Sequence, residues 1–465
     1  VRLKELRGKD VLVIDMTHGG TILAEALLET CASVAAADIY GTLSKERREA
    51  LEKLGIEVKC FVDDVASYDF IFSPVHSPVF NPMSSSPDAE RKIISHHELV
   101  GVLLEEGKKP RGKIVEVTGV KGKTSTAFFL FDIFKEAGSE VLMSSSLGVF
   151  YGGDGGERKL RERADITPAS VLSVLELAEE FEVEVFIFEI SLGFTGAADA
   201  SVLTTLEPDY KIAAGRLSAA AAKLFTALRC KNVVLSRKAY ERYEAFCRDG
   251  RRTVPQTLLY DDTNTWAMLP DVIGEEATDC IEDVQTEFFS NPYISAGYIE
   301  NALAAAFTSL LLGVRLSSVK SGLRRSKGVP GRMRCFRRGN AVFLEDANPA
   351  LDAASLENAI RRALNIKKSM KSEARVLIVL GGDGRGSCSQ LRCEEMSDVV
   401  KRFKGVEVFL VGEVGRKLRE LGVAGTFLTE EEISELTKLE KDVVVLFALR
   451  GTNVVFKGDE GGRGC

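Results

Sequence analysis

The chain has 465 residues, 45% hydrophobic and 28% charged; at roughly 150 residues per domain this points to about three domains and excludes a disordered or collagen-like polymer. A net charge of −7 argues against nucleic acid or an anionic membrane surface as partner. The longest strongly apolar run, Ala302 to Val314, is too short to span a bilayer, and the charged opening Val1 to Asp10 reads as no secretory leader, so a cytoplasmic protein with no membrane partner is expected.

The first segment alternates strand and helix patterns. VLVID (11–15) precedes an apolar-periodic stretch from Thr21 to Thr30; SVAAAD (33–38), a charged helix from Ser44 to Leu54 and DFIFSPV (69–75) follow. This is the grammar of a small parallel sheet with crossover helices. The polar stretch EEGKKPRGK (105–113) reads as a linker. A second unit runs through IVEVTG (114–119), EVFIFEIS (184–191), NVVLS (232–236) and an Ala-rich helix from Tyr298 to Leu312, and is closed by the turn Gly328-Val329-Pro330-Gly331. The third repeats the pattern with AVFLED (341–346), RVLIVLGG (375–382), VEVFLVGE (406–413) and DVVVLFALRG (442–451). From Arg324 to Arg338, seven of fifteen residues are Arg or Lys, which reads equally as a solvated basic hinge or an anion-facing surface. The tail Gly458 to Cys465 is expected to be flexible.

Nine cysteines without a CxxC pair read as reduced thiols, neither a disulfide framework nor a zinc site. The four histidines, His18, His76, His96 and His97, all fall within the first hundred residues. Any chemistry elsewhere must proceed without imidazole.

The most specific local feature is IVEVTGVKGKTST, in which a strand ends at Gly119 and the run Gly119-Val120-Lys121-Gly122-Lys123-Thr124-Ser125 opens a helix. Backbone N–H groups at such a turn cradle phosphates, the lysine reaches the terminal phosphates and the hydroxyl binds Mg²⁺. The spacing departs from the full phosphate-loop pattern, since Val117 stands where its first glycine would be. Mg²⁺ needs hard oxygen ligands, and Glu189 at the end of a strand is the candidate, with a buried structural carboxylate the competing reading. The segment TTLEPDY (204–210) follows another strand end and offers further oxygens.

These motifs resemble those of the Mur-type ATP-dependent ligases. GVKGKTS is similar to the family phosphate loop, SSSLGV (144–149) and ITP (166–168) to loops that follow it, and EISLGFTG (189–196) to the segment with the Mg²⁺ glutamate. TTLEPDYKIA, AAAAKLF (219–225), GYIENALAA (297–305), VPGRMR (329–334) and EDANPALD (345–352) continue the resemblance in family order. It implies an α/β, three-domain Mur-ligase-like enzyme: an N-terminal Rossmann-like substrate domain (1–110), a central P-loop ATPase domain (111–328) and a C-terminal Rossmann-like ligase domain (329–465). The implied chemistry is phosphorylation of a carboxylate by ATP and attack of a nucleophile on the acyl phosphate, with ATP and Mg²⁺ as cofactors. By the same resemblance Lys123 neutralises charge on the transferring phosphoryl group and Thr124 and Glu189 hold Mg²⁺. Lys223, as a carbamate, supports a second Mg²⁺; Asn301 faces adenine; Arg332 and Asp346 meet the nucleotide. Tyr210 stands where the family has a metal-ligating histidine and Tyr298 where it has an asparagine, which puts the second metal and the adenine contact in doubt.

The N-terminal unit must select the substrate. His18 follows the first strand, His76 a later one, and strand ends on one edge converge, so the two are expected to share a cleft with His96 or His97 near it; singly, each reads equally as a cap or surface histidine. DMTHGG, ADIYGT, ISHHE, GVKGKTSTA and EISLGFTGAAD resemble the methanogen branch of these ligases, which serves coenzyme F-430 biosynthesis. That resemblance implies a nickel tetrapyrrole as small-molecule substrate, with a propionate activated and a carbocyclic ring closed by carbon attack. An archaeal Mur-type peptide ligase remains the alternative, with Arg385 and Arg450 to clamp an amino acid, and a nucleotide-binding protein without turnover is a third reading.

Overall fold

Val11 to Ile14, Val34 to Ala37 and Ile71 to Ser73 are unbroken buried runs, as expected of parallel strands covered on both faces. In a computed structural model, which describes residues 1–62, 64–78, 93–249, 256–260, 284–286, 288, 298–348, 351–370, 373–383 and 392–451, they build a five-stranded parallel sheet. Its strands are β1 (Asp10–Ile14), β2 (Ser33–Ala37), β3 (Glu57–Lys59), β4 (Phe70–Ser73) and β5 (Ile93–Ser95), in the order β3-β2-β1-β4-β5. The chain reverses direction across the sheet between β1 and β4, where open α/β sheets form their binding crevice.

A second sheet has eight strands: β6 (Lys113–Thr118), β7 (Val141–Ser145), β8 (Gly148–Gly153), β9 (Gly156–Arg161), β10 (Val185–Glu189), β11 (Ala200–Leu203), β14 (Asn232–Ser236) and β15 (Gln256–Tyr260), with β12 (Lys211–Ile212) and β13 (Leu217–Ser218) forming a separate hairpin. The order β15-β14-β11-β6-β10-β7-β8-β9 places β6 at the centre between β11 and β10. The helix Lys123–Glu136 buries Phe128, Phe129, Leu130, Phe131, Ile133 and Phe134. The Ala-rich helix runs Ile299–Leu311 and is buried from Ala302 to Ser309.

The third sheet contains β16 (Arg334–Arg338), β17 (Ala341–Ala347), β18 (Arg375–Gly382), β19 (Glu407–Val411), β20 (Thr426–Phe427) and β21 (Val443–Arg450), ordered β16-β17-β21-β18-β19-β20. The chain divides into two compact units. One is Val1–Val284 with Glu300–Gly322 and holds the first two sheets; the other is Gln285–Ile299 with Leu323–Cys465 and holds the third.

Several elements differ from the sequence reading. The linker-like stretch begins as a helical turn, Leu104–Lys108, because buried Leu103 and Leu104 carry the preceding helix into it. The antiparallel pair β8 and β9, absent from the reading, turns at Asp154-Gly155, and Gly156, which opens β9, stands at φ 89°. The basic hinge becomes the helix Leu316–Arg325 and the strand β16, and part of its charge is consumed internally: Arg334 pairs with the fully buried Glu345 at 3.1 Å, and Arg338 donates to Thr437 O at 2.7 Å. Cys31, Cys60, Cys230, Cys247 and Cys393 are free thiols, whereas Cys335 is disulfide-bonded, against the expectation of thiols throughout. The tail from Gly458 and Arg385 lie outside the described residues. Among the described residues no helix is long and apolar enough to cross a membrane.

Candidate active site

Three adjacent strands of the second sheet end at one place. Beyond β6 the backbone turns at Gly119 (φ 150°) and Gly122 (φ 88°) before the helix that starts at Lys123. Both glycines are required. A Cβ on Gly119 would stand 2.0 Å from Thr204 Oγ1, and one on Gly122 2.2 Å from Asn301 Nδ2. Beyond β11, Thr204 Oγ1 donates to Lys121 O at 2.5 Å, and Thr205 O accepts from Val120 N at 2.7 Å, so the loop is held from the side. Asn301, expected at adenine, lies behind the loop and donates to Gly122 O (3.3 Å) and Thr126 Oγ1 (3.1 Å).

Lys123 Nζ donates to Gly119 O at 3.1 Å. Thr124 Oγ1 donates to Glu189 Oε1 at 3.1 Å, and Ser146 N donates to Glu189 Oε2 at 3.1 Å. Glu189 is 4% exposed at the end of β10, and Ser125 is buried in the first turn of its helix. A buried carboxylate beside two hydroxyls is an all-oxygen donor set, which fits a hard divalent cation. Thr204 opens the segment read as a source of further oxygens, whereas Ser146 was noted only as part of a loop, because a hydroxyl in a loop has no pattern that distinguishes it.

Lys223 is not an exposed helix lysine. On the helix Ala219–Ala227 it is 1% exposed, donates to Ala219 O at 3.3 Å and lies over the Tyr210 ring.

The switch point of the first sheet carries the histidines. Asp15 follows β1 in a left-handed conformation (φ 72°) and is fully buried. Its Oδ1 accepts from Thr17 N (3.0 Å) and His18 N (3.2 Å); its Oδ2 lies 2.7 Å from His18 Nδ1 and 3.4 Å from His76 Nε2. The His18 and His76 rings meet edge to face at 4.7 Å. Burial works to raise the Asp15 carboxyl, but the His18 hydrogen bond and the neighbouring His76 imidazole outweigh it and hold it below the usual range. The Asp15 hydrogen bond raises the His18 imidazole above its ordinary 6.5. Asp15, the hub of this cluster, was missed; an acid three residues before a histidine at a strand end is the signal that could have found it.

His96 and His97 do not join the cleft as exposed groups. They open the helix His96–Leu103 and are buried, which pushes them down to about 3 and about 4. His97 Nε2 lies 2.9 Å from Ser191 O, two residues beyond Glu189, and His96 is buried beside it.

In the second unit, Arg332 donates to Ala347 O at 3.2 Å, and buried Asp346 accepts from Asn348 Nδ2 at 2.5 Å. Tyr298 packs into the core of that unit, burial pushing its phenol up. Arg450, a candidate amino-acid clamp, is 4% exposed and donates to Leu351 O at 3.1 Å, which leaves the peptide-ligase alternative without support there.

Comparison with known proteins identifies the family and the fold. The family profile described as coenzyme F430 synthetase CfbE, C-terminal domain, matches residues 336–450. The chain is 31% identical over 436 residues to coenzyme F(430) synthetase of Methanosarcina acetivorans, covering 88% of this chain and 91% of that protein. It is 25% identical over 452 residues to the enzyme of the same name from Methanocaldococcus jannaschii, covering 94% and 98%. Among solved structures, the bifunctional folylpolyglutamate synthase/dihydrofolate synthase of Yersinia pestis, complexed with AMPPNP and Mn ion, is similar in fold with TM-score 0.53 and 17% identity, covering 77% of this chain and 90% of that one. The UDP-N-acetylmuramoylalanyl-D-glutamyl-2,6-diaminopimelate--D-alanyl-D-alanyl ligase of Acinetobacter baumannii gives TM-score 0.51 at 14% identity, covering 77% of this chain and 78% of that one. The chain belongs to the coenzyme F430 synthetase family, ATP-dependent ligases built on the three-domain Mur-ligase fold.

Proposed function

We propose that the protein closes a carbocyclic ring on a nickel seco-tetrapyrrole: ATP phosphorylates a propionate side chain, and a carbon of the macrocycle attacks the acyl phosphate. The γ-phosphoryl group passes to a carboxylate oxygen and ADP leaves. The carbon then bonds to the acyl carbon, the bond to phosphate breaks, and the carbon's proton departs, a net loss of one water. The observation that carries this reading is the pairing, within one compact unit, of a phosphate loop beyond β6 with an Asp–His–His cluster beyond β1 and β4.

In this reading residues 1–110 select the tetrapyrrole, 111–328 bind ATP and 329–465 form the ligase domain. Gly119, Lys121, Gly122 and Ser125 present loop and helix N–H groups to the phosphates. Lys123 swings from the Gly119 carbonyl to the transferring phosphoryl group and balances its charge, a role of positioning and electrostatics that needs no imidazole. Mg²⁺ is the cation assigned to Thr124 and Glu189; when bound it neutralises phosphate charge. Lys223 as a carbamate, Asn301 toward adenine, and Arg332 and Asp346 toward the nucleotide rest on the resemblance alone. His18 and His76 line the tetrapyrrole side, and burial makes His96 and His97 structural supports of that wall.

The test is incubation of the pure protein with ATP, Mg²⁺ and the nickel seco precursor. The expected product is lighter than the precursor by one water, formed with stoichiometric ADP. An unchanged mass, with an amino acid instead joined to a nucleotide-linked precursor, overturns the reading.

A further inference from the structure

We propose that His18 Nε2 is the general base that takes the proton from the carbon nucleophile as the ring closes, an assignment that rests on the ring-closing reading. Acylation at a carbon bearing hydrogen requires that proton to leave. The C–H electron pair becomes the new C–C bond, the acyl–phosphate C–O bond breaks with its electrons going to phosphate, and the proton passes to His18 Nε2. No further reactant is needed. The phosphate-loop side offers Lys123, Thr124, Ser146 and Glu189, and the imidazole nearest to it, His97, is buried with its Nε2 against Ser191 O.

The geometry is that of an acid–imidazole dyad. Asp15 is fixed through Oδ1 by the Thr17 and His18 N–H groups, and its Oδ2 holds His18 Nδ1 at 2.7 Å. That contact keeps the proton on Nδ1 and leaves the Nε2 lone pair on the ring edge turned away from the carboxylate. The His18 side chain is 45% exposed, so a bound molecule can reach it.

The loop is also carried to the nucleotide side. Gly19 (φ 91°) approaches so closely that a Cβ there would stand 2.6 Å from Ala169 Cβ and 3.0 Å from Thr167 Oγ1. The same segment accepts Ser191 N at Ile166 O (2.7 Å), two residues beyond Glu189. The groups facing His18 are Asp15, His76, the charge of Asp165 and the Tyr40 ring at 6.1 Å. The Asp15 hydrogen bond raises His18 above 6.5, so a base here gains as the pH climbs past that raised value.

The experiment compares wild type with His18→Gln, each with ATP, Mg²⁺ and the nickel seco precursor, with and without hydroxylamine to trap acyl phosphate as hydroxamate. In His18→Gln, hydroxamate formation is expected to continue while ring closure falls about 100-fold or more. Added imidazole is expected to restore part of the ring closure in His18→Gly. If both readouts fall together, if KM rises with kcat intact, or if ring closure stays within about twofold, His18 is not the base. If wild type itself gives neither product nor hydroxamate, the ring-closing reading fails and takes the base with it; a fully active wild type beside an equally active variant removes only the base.

Discussion

The Lys223 ammonium lies 5.9 Å from the centroid of the Tyr210 ring, buried at 1% exposure. The ring's electron-rich face favours a cation there, and part of the desolvation cost of Lys223 is offset by it. The carbamate that the Mur-ligase resemblance implies would replace this cation by an anion, which the ring face does not favour. Lys223→Met is therefore expected to keep or raise the melting temperature while lowering ligase turnover by about 100-fold. Tyr210→His, which removes that hold, is expected to increase the carbamate signal in ¹³C NMR after labelling with bicarbonate.

Lys123 rests on the Gly119 carbonyl, on the phosphate loop. Lys123→Ala is expected to slow ADP release by about 10²–10³ while the nickel precursor still titrates with its wild-type absorbance change. Loss of precursor binding in this variant would show that the two sites are not separable.

Burial holds His96 at about 3 and His97 at about 4, below the ordinary 6.5. A histidine depressed in the folded state contributes stability that is complete above 6.5 and is lost as pH falls toward those values. Between about pH 7 and about pH 4.5 the melting temperature of wild type is expected to fall relative to that of His96→Leu. Parallel curves for the two proteins would contradict this.

Glu116, wholly buried on β6, accepts from Thr195 N at 2.9 Å and from Thr195 Oγ1, yet burial pushes its carboxyl up to about 7. Its contribution to stability is complete below its ordinary 4.5 and gone once pH has risen past about 7. Glu116→Gln, neutral at every pH, is expected to melt above wild type at about pH 8.5 and within a degree or so of it at about pH 5. Scanning calorimetry at the two pH values checks it.

The strands were readable because they are buried on both faces: NVVLS at 232–236 and RVLIVLGG at 375–382 coincide with β14 and β18. The turn through Gly119 and Gly122 into the helix that starts at Lys123 was readable because local geometry fixes it, which sequence spacing records. What spacing cannot record is contact across elements. Nothing in the spacing around Asn301 shows that its amide reaches Gly122 and Thr126, 175 or more residues away along the chain. Lys223 lacked a burial signal because a single lysine in an Ala-rich helix looks the same whichever face it occupies. His96 and His97 were grouped with His18 and His76 by sequence proximity, but the helix they open turns them into the core.

Ser191 joins the two halves of the candidate site through its main chain: its N–H goes to Ile166 O and its carbonyl faces His97 Nε2. Neither bond involves the hydroxyl. Alanine at 191 would leave both in place, so side-chain truncation scanning passes over this junction without a signal. Only a change that removes the N–H itself, proline above all, uncouples the strand end that bears Glu189 from the loop on which Gly19 rests.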